Sequence, residues 1–127
     1  MRRAFAEGVA NIQGDHYVSE VLRAYMRRQS PSSADVDDIL RLTASVDSDH
    51  YRGEVLGSLL ELGPLRERDL LAVIDSATKM SDHYESETLR KVLRHASTTD
   101  RVRAATLAAA DALGRHYGDE VRRAARR

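Results

Sequence analysis

Gly14-Asp15-His16-Tyr17-Val18-Ser19-Glu20-Val21-Leu22 returns as Ser48-Asp49-His50-Tyr51-Arg52-Gly53-Glu54-Val55-Leu56, then as Ser81-Asp82-His83-Tyr84-Glu85-Ser86-Glu87-Thr88-Leu89. A degraded fourth copy reads Gly114-Arg115-His116-Tyr117-Gly118-Asp119-Glu120-Val121-Arg122. The histidines of these copies lie 34, 33 and 33 residues apart. Four of the five histidines in the chain and four of its five tyrosines occupy these two positions. A fixed period of this size marks stacked supersecondary units, none of which can bury its apolar face alone.

The second copy shows what one unit is. Tyr51, Val55, Leu56, Leu59, Leu60 and Leu62 recur with a 3.6-residue period, which predicts a helix from about Asp49 to Leu62. Ser48 or Asp49 is placed to accept from the free N–H groups of the first turn. Gly63 is expected to adopt the left-handed C′ conformation, and Pro64 to stop the helix. A second helix is predicted from about Leu65 to Thr78, burying Leu70, Val73, Ile74 and Ala77. Copy three repeats the scheme with Tyr84, Thr88, Leu89, Val92 and Leu93, then Val102, Ala105, Leu107 and Ala109. Copy one uses Tyr17, Val21, Leu22, Tyr25 and Met26, then Val36, Ile39, Leu40 and Thr43, with Ser33 expected as a cap. Nothing alternates with the two-residue period of a strand over a useful length.

The pattern predicts an all-α fold: a right-handed α-solenoid of about 3.5 stacked antiparallel helical hairpins with 33–34-residue repeats, about eight helices in all. A chain of 127 residues accommodates one such domain, with units at approximately 1–13 (partial), 14–47, 48–80, 81–113 and 114–127 (a partial unit or cap). Arg3 to Asn11 takes the place of a second helix. Arg122 and Arg126 stand where other copies carry Leu22 and Met26, Leu56 and Leu60, or Leu89 and Leu93, as expected of a terminal helix whose outer face meets water. An array that opens inside a unit raises the expectation of a longer parent polypeptide.

Units with Ser-Asp-x-Tyr-x-x-x-Val-Leu at the start of the first helix resemble a short HEAT-like bacterial α-solenoid. The tetratricopeptide and ankyrin patterns are not matched. The resemblance runs most clearly from Ile12 to Val121, and departs from the family pattern in the histidine before each tyrosine. It implies an interaction or scaffold module, in some bacterial proteins an accessory region of a membrane-linked sensor or peptidase.

Composition narrows the chemistry. The chain has no cysteine, which excludes disulfides, thiolate-ligated zinc and cysteine nucleophiles. No apolar run approaches the ~20 residues of a membrane span, and no apolar signal segment follows Met1. A cytoplasmic location is therefore the default expectation, with no direct membrane insertion. Basic and acidic side chains cancel at 20 each, and aromatic content is 5%, a poor supply for base stacking. The charge is nonetheless segregated: residues 29–89 hold thirteen acids against five bases, and the two ends hold the opposite excess. Such a distribution suits steering of a charged partner, or a homo-oligomer in which an acidic centre meets a basic end.

The candidate site is the His–Glu row. His16/Glu20, His50/Glu54, His83/Glu87 and His116/Glu120 are each four apart, so each pair shares one helix face. Arg23 and Arg90 belong to the same sector, whereas the tyrosines align with valine and leucine and are expected in or near the core. Metal binding is not expected: one pair supplies two ligands where zinc takes three or four, and equivalent pairs on stacked helices sit roughly 8–10 Å apart. Two readings of the row remain, a ridge that engages an as yet unidentified protein partner and a duplicated helix-start ion pair.

No cofactor and no enzyme activity are expected. Serines gather where capping explains them, and no phosphate loop or nucleophile elbow is present. Asp35, Asp37 and Asp38 fall in a helix first turn, where the dipole favours acids. His95 sits near a helix C-terminus. The expected function is a non-catalytic protein–protein interaction or scaffolding module. The alternatives are a nucleic-acid-binding helical repeat using Arg101, Arg103, Arg115, Arg122, Arg123, Arg126 and Arg127, which the acidic centre disfavours, and a structural spacer or self-assembling stack.

Overall fold

Each repeated segment opens a helix, and a second helix precedes or follows it. A computed structural model describes residues 1–12 and 14–126, and among these it contains eight helices and no strand. Gln13, at the edge of the first partial unit, and Arg127, a member of the C-terminal basic set, lie outside the described residues. The helices begun by the repeated segments are α2 (Asp15–Arg28), α4 (Asp49–Leu62), α6 (Asp82–Arg94) and α8 (Arg115–Ala125). Between them come α1 (Arg3–Ala10), α3 (Ser33–Thr43), α5 (Glu67–Ala77) and α7 (Asp100–Asp111).

Contacts divide the chain into two compact units, Met1–Leu65 and Arg66–Arg127. In the first, α2 packs along α4, α1 touches α2 and α3, and α3 touches α4. In the second, α6 packs along α8, α5 touches α6 and α7, and α7 touches α6 and α8. The fold is thus all-α and repeat-like, with repeat-initiated helices forming one layer of each unit and the intervening helices the other. Leu22, Val36, Ile39, Val55, Leu56 and Leu59 fill the first core; Leu70, Val73, Leu89, Val92, Val102 and Val121 fill the second. Burying each such side chain stabilises the fold by about 1.5–3 kcal/mol.

Two of the intervening helices, α3 and α5, are started by a side chain three residues into the helix. Asp35 accepts from the Ser32 N–H at 3.0 Å while Ser32 Oγ accepts from the Asp35 N–H at 3.1 Å, so Ser32, not the expected Ser33, is the cap of α3. Asp69 likewise accepts from the Arg66 N–H at 2.9 Å and from two nitrogens of the Arg66 guanidinium at 2.9 and 3.0 Å. Burial acts to raise the Asp69 carboxyl, but the hydrogen bonds and charge of Arg66, with the charge of Arg68, hold it below its ordinary value. α5 therefore starts at Glu67 and runs to Ala77, inside the predicted Leu65–Thr78. Thr99 Oγ1 starts α7 by accepting from the Val102 N–H at 3.2 Å.

Three expectations about packing are corrected. Leu62 is 37% exposed, because it is the last residue of α4 and has turned off the buried stripe. Gly63 follows with extended backbone (φ −93°, ψ 140°), not a left-handed one. Its lack of a side chain answers a close approach instead, since a Cβ there would lie 2.9 Å from the Leu59 carbonyl oxygen. In α7 the buried positions are Val102, Thr106 and Ala110, while Ala105, Leu107 and Ala109 are half-buried. Thr106 is tolerated inside because its hydroxyl donates to the Val102 carbonyl at 2.8 Å.

The residue after each repeated tyrosine carries no consistent chemistry, and all four are buried: Val18, Arg52, Glu85 and Gly118. Arg52 is satisfied locally, its Nε donating to the Val46 carbonyl at 3.0 Å and a terminal nitrogen to the Ala44 carbonyl at 3.2 Å. Burial, with the Asp82 charge one turn earlier, pushes the Glu85 carboxyl up from 4.5 to about 7. Between those two values the folded chain holds a proton that the unfolded chain has released, so stability falls as pH rises through this window. We expect Glu85→Gln to leave thermal stability near pH 4 unchanged and to raise it at pH 8, by up to about 3 kcal/mol. Parallel melts at the two pH values check this. Arg52→Met strands two carbonyls and is expected to cost about 1–3 kcal/mol in urea unfolding.

Candidate interaction surface

The start of the repeated helices, Asp-His-Tyr in three and Arg115-His116-Tyr117 in α8, is built from three contacts that recur in both units. The first is a backbone staple. In the first unit Asp15 Oδ2 accepts from the Ser48 N–H at 2.7 Å, and in the second Asp82 Oδ2 accepts from the Gly114 N–H at 2.9 Å. The carboxylate of one copy thereby holds the residue that caps the repeated helix of the next. The second contact is the expected histidine–glutamate pairing within each helix. His16 Nε2 lies 3.5 Å from Glu20, His50 3.4 Å from Glu54, His83 3.8 Å from Glu87 and His116 3.3 Å from Glu120. The third is a stack of rings. His16 contacts Tyr17 and Tyr51 with centroids 5.3 and 5.2 Å apart, and Tyr51 meets His50 at 4.9 Å. In the second unit His83 contacts Tyr84 at 5.1 Å and Tyr117 at 6.0 Å, and Tyr117 meets His116 at 5.1 Å.

The tyrosines are therefore part of the surface row rather than the core. Tyr17 is 61% exposed, and Tyr51, Tyr84 and Tyr117 are half-buried. The reason lies one residue further on: burial of Val18, Arg52, Glu85 and Gly118 turns the preceding ring outward along the helix face. The four histidines are all exposed, with side chains between 50% and 74% accessible.

Arg23 and Arg90 join the row by crossing between copies. Arg23 donates to Glu54 at 2.8 Å and to Ser58 Oγ at 3.3 Å. Arg90 reaches Glu120 at 3.7 Å and donates from Nε to the Ser86 carbonyl at 3.3 Å. Glu54 and Glu120 thus each hold a histidine of their own helix and an arginine of the preceding repeated helix. In the first unit the structure brings together His16, Glu20, Arg23, His50 and Glu54; in the second it brings together His83, Glu87, Arg90, His116 and Glu120. Among the described residues no three His, Asp or Glu side chains converge as metal ligands would. His95 caps α6, its Nδ1 accepting from the Ser97 N–H at 3.1 Å.

Much of the C-terminal basic set is engaged within the second unit. Arg122 donates to Asp111 at 3.0 Å and to Asp119 at 2.9 Å, Arg103 donates to the Ala125 carbonyl, and Arg123 Nε to the Asp119 carbonyl at 3.3 Å. Arg101, Arg115 and Arg126 are exposed.

Fold and surface together define an all-helical, repeat-like protein with a polar and aromatic edge. No family model, curated protein or solved structure matches the chain. Among the described residues no helix is long and apolar enough to cross a membrane.

The staple is the contact most open to a direct test. Asp15→Ala leaves the Ser48 N–H without its charged acceptor, and we expect a loss of about 1–2 kcal/mol in chemical unfolding. Arg23→Ala, which removes a part-exposed ion pair, is expected to cost ~1 kcal/mol or less in the same assay.

Proposed function

We propose that this chain is a HEAT-like α-solenoid module, non-catalytic and without cofactor, that holds a protein partner along its repeated His–Tyr–Glu edge. The observation that carries this reading is the ring stack of the first unit, Tyr17, His16, Tyr51 and His50, lying in contact and open to solvent. Tyrosine supplies a large, amphipathic contact area with few rotatable bonds, which is why it is enriched at interfaces. The contacts among the rings and with the glutamates restrict the side chains before any partner arrives, lowering the entropy lost on binding. The second unit supports the same reading with Tyr84, His83, Tyr117 and His116.

One observation favours a purely structural role: each ladder glutamate already pairs with a histidine in its own helix. A pull-down from bacterial lysate, read by mass spectrometry, separates the two. The control bait carries His16, His50, His83 and His116 all changed to Ala and is first checked for unchanged helicity. A partner captured by the parent and lost by the variant is the expected result. Equal capture by both would move the site off the edge; no capture by either would leave the structural spacer as the better account.

A further inference from the structure

A cleft of about 480 Å³ opens between α6 and α8, lined by Arg90, Leu93, Arg94, Glu120, Arg123 and Ala124. Three guanidinium groups face one carboxylate there, and two of the three have donors to spare. Arg90 is held by Glu120 and the Ser86 carbonyl. Arg123 lines the cleft and bonds the Asp119 carbonyl through Nε, while its terminal nitrogens take part in no hydrogen bond or ion pair among the described residues. Arg94, the last residue of α6, is exposed and makes no hydrogen bond or ion pair among the described residues. A guanidinium offers a carboxylate two parallel N–H donors, so arginines with donors to spare on the two walls, Arg94 of α6 and Arg123 of α8, suit a ligand with closely spaced carboxylates. Leu93 and Ala124 give the apolar surface against which the methylenes of a glutamate side chain can lie.

The first unit supplies an internal comparison. The same places between α2 and α4 are taken by Arg23, Met26, Arg27, Glu54, Gly57 and Ser58. There Arg23 is fixed by Glu54 at 2.8 Å and by the Ser58 hydroxyl at 3.3 Å. In the second unit Ala124 replaces that hydroxyl, the ion pair lengthens to 3.7 Å, and Arg123 replaces a glycine. One copy carries a closed ion pair, and the other has gained a cation and loosened its lock.

We propose that the α6–α8 cleft binds an acidic peptide segment of a partner protein, with Arg94 and Arg123 taking its carboxylates. This rests on the interaction role proposed above and names the partner's chemistry. A nucleic-acid backbone fits less well. Glu120 stands in the cleft wall, and Arg122 and Arg103 are spent on Asp111, Asp119 and the Ala125 carbonyl, which leaves fewer cations for further phosphates.

The test uses fluorescein-labelled hexaglutamate, read by anisotropy at neutral pH and about 50 mM salt, where exposed charges are weakly screened. Arg94→Gln/Arg123→Gln is expected to weaken binding at least ~10-fold. Arg27→Gln, the first-unit counterpart of the Arg94 change, is expected to alter it less than ~2-fold. Ala124→Glu, which puts a carboxylate in the cleft and leaves every arginine in place, is expected to abolish binding. Circular dichroism confirms that each variant is folded. The proposal is overturned by absence of hexaglutamate binding, by equal affinity in the double variant, or by an equal loss in Arg27→Gln. A labelled twelve-nucleotide oligothymidylate that binds more tightly than hexaglutamate also overturns it, in favour of a nucleic-acid site. If hexaglutamate fails while histidine-dependent capture persists, the cleft is wrong and the interaction module stands.

Discussion

A carboxylate from one copy bound to a backbone N–H at the head of the next is the contact on which the rest of each unit depends. The first turn of any helix has N–H groups with no partner inside the helix. Here the residue just ahead of α4 donates to Asp15, and the one just ahead of α8 to Asp82. The bond is short and charge-assisted, and it fixes where one helix starts relative to its neighbour. Once that offset is set, the ring of His16 falls against Tyr51 and that of His83 against Tyr117. The arginine seven residues beyond each of these histidines then falls beside the glutamate four residues beyond the next. The weaker contacts follow from the strong one, which is why their residues recur with the same period.

The periodicity made the helices legible. α4 spans Asp49–Leu62 as the leucine and valine spacing predicts, and α1 begins at Arg3 where a second helix was due. The His–Glu pairs were legible too, because four residues on a helix is a local rule that needs no tertiary knowledge. The side on which the tyrosines lie was not. Tyrosine reads as apolar in a periodic stripe, and the position after it, which displaces it from the core, carries Val18, Arg52, Glu85 and Gly118, four residues with no common hydropathy. Only the partners of Arg52 explain why a guanidinium is buried there, and those are carbonyls, which leave no trace in side-chain patterns. The role of Asp15 and Asp82 was hidden for a related reason. An aspartate at a helix start looks like a cap for its own helix, while its acceptor oxygen is used by a backbone 32 or 33 residues away.

The two units also show how far copies can diverge without disturbing the frame. Ser58 and Ala124 occupy matching places, as do Gly57 and Arg123, and the helices around them keep the same pairing and the same staple. What changes is the freedom of an arginine: Arg23 is pinned by two partners on α4, Arg90 by one distant carboxylate on α8. A repeated scaffold separates the groups that set geometry from those that set surface charge, so the second set can vary at little cost to the first.

The buried position after each tyrosine distinguishes the copies. Seen from outside, the repeated helices look interchangeable, with the same His–Tyr start and the same glutamate. Inside, each carries a different key: an aliphatic group at Val18, a cation at Arg52, an acid at Glu85 and no side chain at Gly118. Arg52 fits the loop carbonyls of Ala44 and Val46, and α8 at Gly118 lies so near the Ala110 carbonyl that a Cβ would stand 2.9 Å from it. A side chain in place of Gly118 would press on the Ala110 carbonyl of α7. The exterior repeats while the interior does not, so Arg52 and Gly118 each answer a neighbour that belongs to their own copy's surroundings.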